Sequence, residues 1–343
     1  MFGGRIGIDL GTASVLVYVK GRGIVVNEPS VVALTPRDNR IVAVGTAAAE
    51  MLGRTPGSIA VVRPMRDGVI ADYVVTEAML RYFINRACGS LRVFKPEVVV
   101  CIPAGVTSVE QRAVRDAAEQ GGARRPAHLV PEPLAAAIGA GIPVGSPRGN
   151  IVVDIGGGRT EAAVISMFGI VVSESVRTAG DKIDDAIASY VKRRHNLIIG
   201  DRSAEQVKWE VGSAIPLDEE LRTDVRGRDQ VTGLPQTVVV TSTEITQAIA
   251  DCIASITAAV KATLERTPPE LSADLMEYGI MLTGGSALLR GLDQALSNVT
   301  GLPVQVADDP ITCVARGAGL ALDYLDLIKR NLPTEEESLV ASY

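Results

Sequence analysis

The sequence predicts an α/β protein built as two similar halves, and three observations support this. A strand–turn–strand pattern carrying an aspartate occurs twice, half a chain apart. Each copy is followed by apolar strands alternating with amphipathic helices. The chain, at 343 residues with 47% apolar and 22% charged residues, is long and apolar enough for two cores.

The first pattern is "RIGIDLGTASVLVYVKG" (5–21) and the second "IVVDIGGGRTEAAVIS" (151–166). Both read apolar strand, Asp, Leu or Ile, Gly, a small polar turn and a second strand. A tight turn needs a glycine, but it does not need a carboxylate between apolar neighbours, because burying an unpaired charge is costly. Asp9 and Asp154 therefore ask for a ligand, and their repetition points to a duplicated domain. Next come "VVNEPSVVAL" and "RIVAVG" as strands, "DYVVTEAMLRYFINRAC" as a helix and "PEVVVCIPA" as a buried strand. In the second half, "TSTEITQAIADCIASITAAVKATLER" reads as a long helix with Ile245, Ile249, Ile253, Ile256, Val260 and Leu264 on one side. Thr241 and Glu244 are spaced as a capping box ahead of it. "GIMLTGGSALLRGL" reads as strand, glycine turn and helix.

Composition excludes several classes. A net charge of -6 and a pI near 5.2 argue against a broad nucleic-acid footprint, which needs a basic surface. Four scattered cysteines and two histidines make a soft-metal site unexpected and suit reduced thiols. The N-terminus lacks a signal-peptide layout, and no apolar run approaches the roughly 18 residues of a spanning helix. A cytosolic protein is expected, with attachment to a membrane surface left open.

Turns rich in glycine and small hydroxyls expose N–H groups that cradle phosphate oxygens. Gly11, Thr12, Ala13 and Ser14 form one such loop; Gly156, Gly157 and Gly158 form another. If the halves face each other, the loops close on a polyphosphate from opposite sides. Asp9 and Asp154 would then hold the water shell of Mg²⁺, a hard cation that prefers oxygen ligands. Gly284, Gly285 and Ser286 are expected to open a helix, whose N-terminus favours an anion or a closely approaching nucleotide. A P-loop, a dinucleotide fingerprint and a nucleophile elbow are all missing.

With these residues in place, the chain resembles the actin, Hsp70 and sugar-kinase superfamily, and within it the MreB family of bacterial actin-like cell-shape proteins. The resemblance rests on "DLGTASVLVYVKGRGIVVNEPSVVAL", "RPMRDGVIADYVVTEAMLRYFI", "TAGDKIDDAIASYVKRRHNLIIGDRSAE", "VRGRDQVTGLP", "LTGGSALLRGLD" and "DDPITCVARGAGLAL", nearly residues 5 to 325. It implies an actin-like ATPase: two ribonuclease-H-like domains flanking a nucleotide cleft, each with a smaller inserted subdomain. Domain I would comprise 1–143 plus 309–343, with its small subdomain at about 32–75. Domain II would comprise 144–308, with its small subdomain at about 181–240.

The resemblance also assigns roles. It implies ATP and Mg²⁺ in the cleft, with Glu205 and Lys208 of "SAEQVKWEVGSA" reaching the nucleoside. The residues alone read as an i,i+3 surface pair on a helix. Hydrolysis needs a water in line with the γ-phosphate and a group to orient or deprotonate it. That group would be Glu132 of "PEPLAAAIGAG", where actin carries glutamine, with Thr160 as a second holder of the water. Without the family, Glu132 reads as a carboxylate favoured by a helix dipole. The family usually reads G-G-G-T-T-E, whereas this chain reads "GGGRTE"; Arg159 would either stabilise developing charge or point outward. Ser14 and Ser286 depart mildly, where asparagine and glycine are common. The Ala- and Gly-rich helices at "PLAAAIGAG" and "VARGAGLAL" would form the hinge.

Leu91, Val93 and Phe94 lie among basic residues in "GSLRVFKPEV", a pattern suited to insertion into an anionic membrane surface. The alternative is that Phe94 packs back on the core. The resemblance implies self-assembly into paired protofilaments on the inner face of the cytoplasmic membrane and work with cell-wall elongation proteins. A small-molecule phosphotransferase of the same superfamily is the main rival. An Hsp70-like chaperone is a weaker one, because no peptide-binding domain follows "ARGAGLAL".

Overall fold

The computed structural model describes residues 4–89 and 94–331. The first half opens with three strands, β1 (Arg5–Leu10), β2 (Ser14–Val19) and β3 (Gly23–Pro29). Two more follow, β4 (Val32–Thr35) and β5 (Arg40–Val44), then α1 (Thr46–Ala49) and β6 (Ala60–Val62). A two-stranded ribbon, β7 (Met65–Arg66) and β8 (Val69–Ile70), leads into α2 (Tyr73–Cys88). The half ends with β9 (Glu97–Ile102), α3 (Ser108–Gln120), β10 (His128–Pro131) and α4 (Glu132–Gly139).

The second half repeats the opening with β11 (Asn150–Ile155), β12 (Thr160–Ser166) and β13 (Gly169–Val176). Next are α5 (Gly180–His195), β14 (Leu197–Ile198), α6 (Asp201–Val211), β15 (Arg222–Asp229) and β16 (Pro235–Thr241). The chain closes with α7 (Ser242–Glu265), α8 (Pro269–Tyr278), β17 (Ile280–Thr283), α9 (Leu292–Thr300), β18 (Val304–Val306), α10 (Cys313–Ala321) and α11 (Leu325–Asn331).

The two main sheets have one topology. The first runs β10-β9-β1-β2-β3 and the second, read from its parallel end, β18-β17-β11-β12-β13. In each, an antiparallel three-strand meander is extended by two parallel strands on the side of its first strand. The duplication inferred from two short motifs thus extends to both sheets. Each half also carries a small three-stranded sheet, β5-β4-β6 in the first and β14-β15-β16 in the second.

Strands buried on both faces form the sheet centres, as their near-continuous apolar runs require. One core packs β1, β2 and β9 under α2, with Phe83, Met79 and Ile84 fully buried. The other packs β11 and β12 against α5 and α7 through Ile183, Ile187, Ile245, Ile249 and Ile256. The Thr241–Glu244 capping box is formed in full. Helix α7 is long and apolar enough to cross a membrane, contrary to the expectation from the sequence that no segment would be. Its isoleucine stripe lies inside the second core, so its apolarity serves packing.

A third cluster joins the halves through α4 and α10. The helices cross where Gly139 and Gly317 oppose each other; a Cβ on either would collide with a backbone carbonyl of the other helix. Arg316 Nε also donates to the Gly139 carbonyl, at 2.8 Å.

Candidate functional site

The two hairpins close alike. Gly11 N–H donates to the Ser14 carbonyl at 3.0 Å, and Gly156 N–H to the Arg159 carbonyl at 3.0 Å. Across the molecule their tips touch. A Cβ at Gly157 would lie 2.6 Å from the Ala13 methyl, and one at Gly158 would lie 2.7 Å from Thr12 Oγ1. Gly157 and Gly158 are thus required by the approach of Thr12 and Ala13 in the first turn.

Further groups anchor the second turn. The N-terminus of α5 sends the Gly180 and Asp181 N–H groups to the carbonyls of Gly156 (3.2 Å) and Gly157 (2.8 Å). Ser286 Oγ donates to the same Gly156 carbonyl at 2.7 Å, which brings the third glycine stretch to the second hairpin. The expected helix there is not formed. Gly285–Leu288 make one 3₁₀ turn, between Gly284 at φ 82° and Gly291 at φ 71°, and α9 begins only at Leu292. Two positive-φ glycines bracketing six residues leave no room for more than this short turn, so Gly284, Gly285 and Ser286 offer a turn and a hydroxyl but no helix dipole.

Between the hairpins lies a cluster of carboxyl groups: Asp9, Asp154, Glu132 and Glu161. Burial, reinforced by the charge of Asp154, pushes the Asp9 carboxyl up to about 8. Burial takes Asp154 to about 6, held down by Thr283 Oγ1, which donates to Asp154 Oδ1 at 2.7 Å. Burial raises Glu161 to about 7, opposed by the Ala104 N–H on its Oε2 and by Arg159. Glu132 lies well above its ordinary range through burial and then the charges of Glu161, Asp9 and Asp154. Glu161 Oε1 is buried and has no hydrogen-bond partner among the described residues. The Cys101 thiol borders the cluster; burial, then Asp9, Glu132 and Asp154, raise it.

Four acids crowded out of water are stable only protonated or facing positive charge. Among the described residues no three His, Cys, Asp or Glu side chains stand close enough to hold an ion alone. The donor set nevertheless fits a hard cation whose remaining ligands are water and phosphate oxygens: it is all carboxylate, and one buried oxygen is unpaired.

Glu132 heads α4 directly after Pro131 and points into this cluster, more than a helix-dipole role requires. Thr160 is fully buried and donates its hydroxyl to the Thr178 carbonyl at 2.7 Å, so its proton is committed there and only its lone pairs remain. Lys208 is buried on α6 and pairs with Asp184 at 2.9 Å, not with Glu205, which is exposed one turn earlier. Arg159 turns sideways to the Asp67 carbonyl of the first half, as described below. Phe94 is 62% exposed beside Lys95, so it does not pack back on the core; Leu91 and Val93 lie outside the described residues.

The sequence reading missed Glu161, Thr283 and Asp184. Glu161 had a usable signal: in the hairpin register it sits directly opposite Asp154, and directly opposed residues share a face. Thr283 and Asp184 come from strands and helices remote in sequence, and no local pattern announces them.

Comparison with known proteins places this geometry. The MreB/Mbl protein family model matches residues 3–330. The chain is 52% identical to the cell shape-determining protein Mbl of Bacillus subtilis (strain 168), over 97% of this chain and 100% of that one. It is also 52% identical to the cell shape-determining protein MreB of Escherichia coli (strain K12), over 98% of each. Among solved structures, MreB5 of Spiroplasma citri bound to ADP superposes with a TM-score of 0.89 at 38% identity, over 96% of this chain and 99% of that one. A MamK double helical filament matches at TM-score 0.78 and 22% identity, over 93% and 98%, and shows likeness of fold. Two topologically identical sheets joined through paired small-residue helices, with this relatedness along nearly the whole chain, establish that it belongs to the MreB/Mbl family of actin-like cytoskeletal proteins.

Proposed function

We propose that the chain binds ATP with Mg²⁺ between the two aspartate-headed hairpins, hydrolyses it slowly and couples the cycle to assembly into paired protofilaments. The observation that carries this reading is the meeting of two like turns over a cluster of carboxyl groups whose proton affinity desolvation raises. That a Spiroplasma citri relative has been solved with ADP and with AMPPNP supports the choice of ligand. The cleft would separate domain I, 1–143 plus 309–343, from domain II, 144–308.

In this reading the backbone N–H groups of Gly11 to Ser14 and Gly156 to Gly158 receive the phosphates. Gly284, Gly285 and Ser286 line the adenosine, with Glu205 and Lys208 near the nucleoside. Asp9 and Asp154 hold the cation through water. Bound Mg²⁺ neutralises the phosphate oxygens and the carboxylates facing them. Glu132 orients the attacking water and, in its ionised form, accepts that water's proton. Thr160 can accept a hydrogen bond from the same water.

Filaments would lie on the inner face of the cytoplasmic membrane, held by Leu91, Val93 and Phe94, and would organise cell-wall elongation with partner proteins. The exposure of Phe94 next to Lys95 supports that surface. Calorimetry with Mg-ATP, followed by light scattering and negative-stain microscopy, tests the core of the reading. Saturable binding and nucleotide-dependent filaments are expected. Glu132→Gln should bind normally while hydrolysing about 10²-fold more slowly or worse. A protein that takes up no purine nucleotide, or stays monomeric with Mg-ATP, would end the proposal. Loss of liposome co-sedimentation in a Leu91→Ser, Phe94→Ser variant, with nucleotide binding kept, tests the membrane contact.

A further inference from the structure

Arg159 ends the second phosphate turn, at the place Ser14 occupies in the first. Its side chain leaves the turn sideways. Nε and Nη2 both donate to the carbonyl of Asp67, at 3.1 and 2.8 Å, and Nη1 donates to Ser175 Oγ on β13 at 3.1 Å. Three N–H donors are thereby committed, while the guanidinium charge still reaches Glu161 and Glu132.

Its target is a built feature. Met65 pairs with Ile70 and Arg66 with Val69, which leaves Asp67–Gly68 as a two-residue loop. Both loop residues are left-handed, at φ 50° and 77°, the geometry of a type I′ hairpin turn and a setting that Asp-Gly favours. The turn therefore presents a fixed carbonyl. Its next group, the Gly68 N–H, donates to Thr12 Oγ1 in the first hairpin at 2.8 Å. A Cβ at Gly68 would meet Pro103 Cγ at 2.9 Å and Arg159 Nε at 3.4 Å, so the tip is wedged in place. The ribbon belongs to the first half, since Met65 lies in the first core and Ile70 packs against it. Arg159 belongs to the second.

We infer that Arg159 is a positioning residue that latches the second lobe to the Asp67–Gly68 turn, holds the phosphate hairpins together and slows the exit of nucleotide and phosphate. This rests on the ATP reading given above. A bidentate, charge-assisted contact to one rigid carbonyl is stronger than a neutral hydrogen bond. It is also separate from the α4–α10 contact, so rotation of the lobes about those helices must break it. The Ala104 N–H on Glu161 Oε2, at 3.1 Å, is a second bond across the same seam and lies two residues further along β12.

The test uses the full chain with Mg²⁺ and a fluorescent ATP analogue chased by unlabelled ATP, alongside phosphate release and cleavage in a single turnover. Arg159→Thr should release nucleotide and phosphate about tenfold faster at full binding amplitude, the scale expected for losing one charge-assisted contact. Arg159→Lys should fall between, because an ammonium cannot span the carbonyl in the same forked way. Ser175→Ala, which leaves the guanidinium but removes its anchor, should give a smaller change in the same direction, and it keeps the test open if Arg159→Thr folds poorly. A purely structural role would lower the binding amplitude and leave the release rate of the bound fraction alone. Wild-type release rates in all three variants, or slowed cleavage with unchanged release, would overturn the latch. Failure of the wild-type protein to bind the analogue would instead bring down the ATP reading, and the latch with it.

Discussion

The two hairpins share a backbone and differ in what surrounds their aspartates. Opposite Asp9 on the neighbouring strand stands Leu16; opposite Asp154 stands Glu161. Asp154 also takes a hydrogen bond from Thr283 and ionises near 6, whereas Asp9 holds its proton to about 8. The fourth turn position is Ser14 in one and Arg159 in the other. A duplicated scaffold has thus been specialised side by side. The second hairpin collects polar partners and carries the lobe-to-lobe bonds, while the first sets its half-buried acid opposite a leucine. The first acid should therefore depend more on a bound cation for its charge.

The largest expected effect comes from removing the acids. Asp9→Asn and Asp154→Asn should each weaken Mg-ATP binding about 100-fold or more, measured by calorimetry, because each withdraws a charge that the proposed Mg²⁺ site requires. The two should part in stability. A carboxyl raised from 3.8 to about 8 binds its proton more tightly folded than unfolded. Its contribution to stability is therefore present below the unfolded value and lost as pH rises towards 8. In the absence of nucleotide, Asp9→Asn should exceed wild type by several kcal/mol in denaturant melts at pH 8 and by little at pH 4. For Asp154→Asn the gap should be smaller and complete by about pH 6 to 7. Equal pH profiles for the two variants would erase the distinction drawn between the hairpins.

Much of this was legible in the sequence because it is carried by short-range pattern. The paired turns, the Thr241 capping box and the isoleucine stripe of α7 each lie within a span of local structure, and each is where the pattern put it. The failures are of two kinds. The helix expected after Gly284 is replaced by one 3₁₀ turn, since packing against the Ile155 backbone and a second left-handed glycine decide the local path. Lys208 turns to Asp184, on a different helix, because a buried ammonium must find an acid and the exposed Glu205 does not provide it. The sideways course of Arg159 depended on a turn 92 residues away, which no local reading of "GGGRTE" supplies.

The glycines that open the turns offer a sharper comparison. Gly11 and Gly156 occupy equivalent places and neither has a left-handed φ. A Cβ on Gly11 would stand 2.8 Å from the Ser14 carbonyl, inside contact distance, whereas on Gly156 the nearest atom is 3.6 Å away. Gly11→Ala should cost about 1–3 kcal/mol in denaturant melts, the range of forced repacking. Gly156→Ala should change stability by less than about 0.5 kcal/mol. Equal losses would mean that the turns are less alike than their hydrogen bonds indicate.

The smallest effect, and the finest test, makes the second hairpin resemble the first. Thr283→Val keeps the shape of a fully buried side chain while removing the hydroxyl that donates to Asp154. That hydrogen bond favours the ionised carboxylate, so its loss should move Asp154 up from about 6 towards the value held by Asp9. A proton competes with the cation for the same oxygens. Mg-ATP affinity should therefore fall about three- to tenfold at pH 6.5, the span of up to one pKa unit, and recover by pH 9, where both forms are ionised. A deficit that persists unchanged at pH 9 would show that Thr283 acts on the shape of the turn and not on the charge of Asp154.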